Sequence, residues 1–187
     1  MLKELVLNTR SYRRFDADRK ISSEELREMI DSARLSGSAA NRQRVRFVLV
    51  NNKSTCDKLF ANVAWAGYLK EWAGPAESER PTAYIVMMCK EENIDISLAI
   101  DMGIYAEAIL LTATDMGLGG CMIRSFKKAE IEAILGREGY NAAFVIALGK
   151  PAERVYITDV KDGDIKYYRD ENDAHAVPKY SLDELII

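Results

Sequence analysis

Histidine is nearly absent from this 187-residue chain, which holds one, His175. A Ser/His/Asp triad would have to be built on it, and no Gly-x-Ser-x-Gly turn is present. His175 lies in the polar run Asp170-Glu171-Asn172-Asp173-Ala174, which predicts a solvated loop histidine. Cysteine is sparse too. Cys56, Cys89 and Cys121 form no C-x-x-C pair, so no metal site is expected. An odd count without a secretory leader reads as free thiols in a reducing compartment. Excess basic charge is missing: 26 Lys and Arg stand against 29 Asp and Glu, a net charge of -3. That argues against general nucleic-acid binding but leaves room for a local basic pocket. The start, Met1-Leu2-Lys3-Glu4-Leu5-Val6-Leu7, carries charges inside its apolar run and fails as a signal peptide. The apolar-rich stretch Ile104–Met116 contains Glu107 and Asp115 and is too short to span a bilayer. No membrane association and a cytoplasmic location are therefore expected.

What is present is an ordinary globular composition, 48% hydrophobic and 29% charged, sized for a single domain over residues 1–187. Residues 2–8 read as a short amphipathic helix. Ser22 and Glu25 are spaced as a capping box for a helix ending before Gly37. Val45–Val50 reads as a strand too apolar for an exposed edge. Residues 54–72 read as helical in part and carry Trp65, Tyr68 and Trp72, which either line a pocket or fill the core. Ala83–Cys89 is a second buried strand. Residues 95–116 are apolar nearly all round, which predicts a central buried helix. Cys121–Ile123 and Tyr140–Leu148 read as strands, with Lys127–Leu135 as a helix between them. The tail, 152–187, has a strand-like Ile165–Tyr168 and a capped helical stub at Ser181–Glu184. Apolar strands separated by helices suggest an α/β or α+β sheet covered on both faces.

Four stretches carry chemistry. Arg10-Ser11-Tyr12-Arg13-Arg14-Phe15 packs three guanidiniums and a hydroxyl into five residues, the groups that grip phosphate through paired N–H bonds. On composition alone a solvated basic turn is the favoured reading, since charge clusters are usually just solvated. Ser38-Ala39-Ala40-Asn41-Arg42-Gln43 combines small residues with amides that donate and accept at once, as a heterocycle edge requires. Gly117-Leu118-Gly119-Gly120-Cys121-Met122-Ile123-Arg124-Ser125-Phe126 is a glycine turn able to present backbone N–H groups. It follows a helix and precedes a strand, so it is neither a Rossmann fingerprint nor a P-loop, and Gly117 reads as a helix C-cap. Arg169, with Lys166 nearby, could add cationic charge to the same phosphate.

In this order the stretches resemble the FMN-dependent nitroreductase family. Arg10–Phe15 is similar to its phosphate-gripping Arg-Ser-x-Arg segment. Ser38–Gln43 followed by Arg46-Phe47-Val48 is similar to its Pro-Ser-x-x-Asn-x-Gln-Pro-Trp loop. Gly117–Cys121 resembles its late glycine turn, and Ala147-Leu148-Gly149-Lys150-Pro151 its final core strand. The likeness runs from about residue 8 to 153. Gly37 stands where the family has Pro, and Arg44-Val45 where Pro-Trp is common, so the substrate is not fixed by it. The resemblance implies an α+β three-layer sandwich, its central, mainly antiparallel sheet flanked by helices, in an intertwined homodimer. Two FMN sites would lie at the interface, with helix 95–116 as dimer core and the tail 152–187 packing on the partner.

Carried over by position, Arg10, Ser11 and Arg13 would hold the FMN phosphate and ribityl chain, with Arg169 as helper. Asn41 and Gln43 would meet the flavin's polar edge, and Ser38 the partner's flavin. Backbone groups around Met122, Arg124 and Ser125 would lie near flavin N5. The implied activity is hydride transfer from NADH or NADPH through FMN to an electron-poor small molecule such as a nitroaromatic or quinone, with no catalytic side chain. The rival readings are a flavin-binding sensor or carrier, and a different flavin reaction on the same fold, such as reductive dehalogenation.

Overall fold

The computed structural model describes residues 2–187. Its centre is an antiparallel sheet of β1 (Phe15–Asp16), β5 (Asn141–Pro151), β3 (Ala83–Cys89) and β2 (Arg46–Val50) in that order, with β4 (Gly119–Ile123) pairing β5 beside β1. Every residue of β3 is buried, because helices cover both faces. On one face Ala83, Ile85, Met87 and Cys89 pack against α2 (Ser23–Leu35) and α4 (Ile96–Asp115). On the other, Tyr84, Val86 and Met88 meet α3 (Lys53–Phe60) and α5 (Lys128–Leu135). The three-layer α+β sandwich is the expected one.

The helices start and stop for local reasons. The Ser22–Glu25 capping box opens α2. At the end of α4, Gly117 takes a φ of 72°, its N–H donates to Thr114 O, and the Leu118 N–H donates back to Ala113 O. These paired bonds satisfy carbonyls that would otherwise be orphaned, as the glycine's position predicts. α1 (Leu2–Asn8) packs on α4.

Several expectations need correction. β2 pairs β3 alone and ends the sheet, so Val45–Val50 does form an edge; Phe47 and Leu49 are half-buried against the core on the α2 and α4 side and Val48 against that on the α3 and α5 side, and Phe47 meets the Tyr105 ring edge-on at 5.9 Å. Helical structure in 54–72 ends at Phe60, and the chain then runs irregularly, with Ala66 at φ 39° and Gly74 at φ 112°. α4 is buried on one side only: Leu98, Met102, Tyr105, Ala106 and Ile109 face the core, while Ile96, Ile100 and Ile104 are exposed. Its 20 residues are long and apolar enough to cross a membrane by composition, so the shorter stretch Ile104–Met116 understated it; the buried row makes it a core helix of the sandwich.

The tail is more ordered than its sequence suggests. β6 (Val155–Asp159) pairs parallel with β8 (His175–Lys179), and β7 (Tyr168–Arg169) pairs antiparallel with β8. The expected strand Ile165–Tyr168 is reduced to Tyr168–Arg169. The short α6 (Leu182–Leu185) carries the expected capping box from Ser181 to Glu184. His175 is wholly buried in β8, not a solvated loop histidine.

Candidate functional site

The N-terminal arginine segment is held against β4. Ser11 forms a parallel bridge to Gly120, and the Tyr12 N–H donates to Gly120 O at 3.0 Å. This approach requires small residues. A Cβ on Gly119 would stand 2.6 Å from the Tyr12 ring, and one on Gly149 would stand 2.7 Å from Phe15. The paired glycines of the late turn therefore make room for the arginine segment rather than cradling a ligand themselves.

Gly120 presents its carbonyl to this segment and therefore away from β5. Groups alternate sides along an antiparallel strand, so two residues on, the Met122 N–H and C=O also face away from β5, past the end of the Ser11 bridge. There the strand edge opens into a cleft lined by Arg13, Trp65, Cys121, Met122, Arg124, Ser125 and Tyr167, among others. Residues 62–64 form its far wall by pairing with 125–127: Ala64 N–H donates to Ser125 O at 2.8 Å, and Lys127 N–H to Asn62 O at 2.9 Å.

Arg13 is the buried cation of this cleft. Its guanidinium lies over the Tyr167 ring at 4.8 Å, and Nη1 reaches Ser11 O at 3.2 Å and His175 Nε2 at 3.3 Å. Since arginine can only donate, His175 Nε2 accepts and its proton sits on Nδ1. Burial and then the Arg13 charge hold the imidazole pKa down at about 4, so His175 is neutral near pH 7. Tyr68 continues the ring stack, 4.8 Å from Tyr167, and Tyr167 lies 5.0 Å from His175. Arg10 turns back, its Nη2 donating to Val6 O at 2.7 Å; its buried Nε has no hydrogen-bond partner among the described residues. Ser11, Arg124 and Ser125 are exposed. Among the described residues no carboxylate lines the cleft, although the chain as a whole is acidic.

Glu153, Tyr167 and His175 were missed by sequence reasoning. Glu153 sits two residues past β5, its side chain 2% exposed. It accepts from the N–H groups of Arg13 and Arg14 and from Arg169 Nη2 at 2.8 Å. Arg169 also donates to Asp173 O at 2.8 Å, and Arg14 pairs with Asp173. Both guanidiniums flank Trp72, at 5.8 and 5.3 Å. Lys166 lies elsewhere, beside a separate hollow formed by the tail.

The loop of Ser38, Asn41 and Gln43 is not part of this cleft within one chain. It is tied to α4, where buried Asp101 accepts from the Ala39 N–H at 2.8 Å. Gln43 Nε2 donates to Asn41 Oδ1 at 3.0 Å, the Gln43 N–H donates to Ser38 Oγ at 3.2 Å, and Ala40, Asn41 and Gln43 all take positive φ. The exposed amides of Asn41 and Gln43 thus bond to each other within a strained turn, which Asp101 ties to the helix that exposes Ile100 and Ile104. The three thiols are free and buried; burial raises each pKa, that of Cys56 to about 11, so none is a ready nucleophile.

The sequence matches the Nitroreductase family over residues 6–150. A Bacillus subtilis protein named "Putative NAD(P)H nitroreductase YdgI" is 22% identical across 82% of this chain and 90% of its own length. A nitroreductase family protein from Clostridium novyi NT superposes with a TM-score of 0.68 at 23% identity, covering 98% of both chains. The NADPH:FMN oxidoreductase of Vibrio harveyi, solved with NAD+, superposes with a TM-score of 0.65 at 22% identity, covering 98% of this chain and 80% of that one.

Proposed function

The chain belongs to the Nitroreductase family, and on that premise we propose that it is an FMN-dependent oxidoreductase working as a homodimer. It takes reducing equivalents from NADH or NADPH and passes them to a small electron-poor acceptor, such as a nitroaromatic or quinone. The observation that carries this reading is the cleft itself: a buried Arg13 faces the open edge of β4 in a cleft that no carboxylate lines among the described residues. The donor set fits FMN. Arg10 has a buried N–H without a partner, Ser11 offers an exposed hydroxyl, and Arg13 a guanidinium already desolvated, which suits a phosphate. Bound FMN would supply the hydride chemistry, accepting from nicotinamide and donating to the acceptor.

The chain's own residues bind, orient and exclude water. Arg10, Ser11 and Arg13 hold the phosphate and ribityl chain, with Arg169 as a nearby cation. The Met122 backbone, with Arg124 and Ser125 at the strand's end, lies along the ring edge, where an N–H donor favours the charge of the reduced state. Trp65 and Tyr167 wall the cleft and limit water. Ser38, Asn41 and Gln43 complete it from the partner, since their loop stands apart from the cleft of their own chain. The exposed side of α4 supports the same assembly, as does the row of apolar groups on the tail and α6, Ile165, Tyr168, Leu182 and Leu185.

The test is the absorption spectrum of the purified protein before and after anaerobic NADH or NADPH. A flavin spectrum that bleaches and then recovers with a nitroaromatic or quinone is expected. A flavin that never bleaches would favour a sensor or carrier. A colourless protein that takes up no FMN would overturn the reading.

A further inference from the structure

We propose that Glu153 is a positioning residue for the flavin phosphate, and that Arg169 acts on the cofactor through Glu153 rather than by touching it. The inference rests on the FMN reading above. One carboxylate oxygen of Glu153 receives the N–H groups of two consecutive residues, Arg13 and Arg14, and the other receives Arg169. The next link in the chain, the Ala152 N–H, donates to Arg14 O at 3.0 Å. The Arg13–Arg14 stretch is therefore gripped through both its donors and its acceptor. From this held backbone the Arg13 side chain runs over Tyr167 and into the cleft.

A carboxylate this buried is tolerated only when paired and fully hydrogen-bonded. Arg169 supplies the pairing charge. Its Nη1 donates to Asp173 O and its Nη2 to Glu153, and its Nε lies 3.6 Å from Asp173 Oδ1, all within its own chain. The tail thus reaches the phosphate segment by way of one buried ion pair. Removing the charge of Glu153, or its partner, frees the backbone that aims Arg13.

The experiment measures dissociation constants for FMN and for riboflavin, which lacks the phosphate, by flavin fluorescence. The chains compared are wild type, Glu153→Gln, Arg169→Gln, Arg169→Lys and the double Gln variant. Glu153→Gln should weaken FMN by about tenfold or more while riboflavin changes by less than about twofold, since a misaimed charge-assisted bond is lost only with the phosphate. Arg169→Gln should do the same, Arg169→Lys should restore most of the affinity, and the double variant should be no worse than the weaker single. Unchanged FMN affinity in Glu153→Gln overturns the inference. So does an equal loss of FMN and riboflavin, which marks general destabilisation. Multiplying effects in the double variant would mean that Arg169 grips the phosphate directly. If Glu153→Gln does not fold, Glu153→Asp, with its charge kept and its reach shortened, takes its place in the same cycle. A wild type that binds FMN no tighter than riboflavin refutes the phosphate assignment and this inference with it. Failure to bind either flavin removes the FMN reading altogether.

Discussion

Two adjacent cations behave differently although their sequence signal is the same. Arg13 is buried and directed into the cleft, whereas Arg14 is drawn off by Glu79 and Asp173. Arg10 keeps a buried N–H in reserve. Replacing Arg10 with Ala should weaken FMN binding by about 1.5–3 kcal/mol, the loss of one charge-assisted bond; titration of flavin fluorescence checks it, and unchanged affinity would remove Arg10 from the site. His175 gives a second prediction. Its folded pKa is about 4, below the ordinary 6.5 of the unfolded chain. The unfolded state therefore takes up the proton first as pH falls. The stability this neutral imidazole contributes is present above pH 6.5 and is lost as pH drops toward 4. As the chain has one histidine, its imidazole resonance in a proton NMR titration is unambiguous; a midpoint near 6.5 would refute the burial. The thermal midpoint of His175→Asn should fall less between pH 7 and 5 than that of wild type. The arginine cluster was legible because three guanidiniums in five residues is a rare local pattern. The buried histidine was not, because what covers it, Arg13 and Tyr167, is far off in sequence or lies in an irregular segment.

Strands announced themselves where their burial is complete, and the short ones on the tail and beside β5 went unread. β3 and β5 are covered on both faces, so their apolar runs announce them. β1, β6 and β8 are short, carry charged or polar residues, and exist only because a neighbour pairs with them. β2 misled because its apolar residues pack on both faces of the sheet while its outer edge is open. The α4 to β4 turn shows how two nearby glycines divide the work. Gly119→Ala would drive a methyl into the Tyr12 ring and Pro151, at 2.6 and 2.9 Å, and lift the Ser11–Tyr12 segment off the strand. Weaker flavin binding is expected together with lower stability. Gly117→Ala meets nothing within 4 Å but must adopt φ 72°, so it should cost about 1 kcal/mol of stability through the helix cap alone, with flavin affinity kept. Thermal unfolding and flavin titration of both variants, side by side, check this division. Equal flavin affinity in the two would mean that the Tyr12 contact does not set the site.

For the whole molecule, the proposed homodimer makes one chain half a site and half an interface. The cleft beside Arg13 lacks the amides of Asn41 and Gln43, which sit on a loop braced by Asp101 of α4. The same helix shows solvent a ridge of Ile96, Ile100 and Ile104, with Ala99 and Gly103 exposed between them. Each large apolar side chain left in water forgoes roughly 1.5–3 kcal/mol of burial, so such a ridge is best explained by a second copy lying across it. The sequence hinted at this through a helix apolar beyond the needs of one core. What it could not show is that the bracing of loop 38–43 and the ridge share one element, which supports the proposal that the loop serves the partner's cleft. Assembly and cofactor binding are then linked, because a ligand that binds only the paired form stabilises it by mass action. Ile100→Glu places a charge on the ridge, 57% exposed in the single chain, without touching the core row. Light scattering should find it monomeric, and FMN should be lost along with the partner. A stable monomer that keeps its FMN would break the link and return Ser38, Asn41 and Gln43 to the status of an ordinary surface turn.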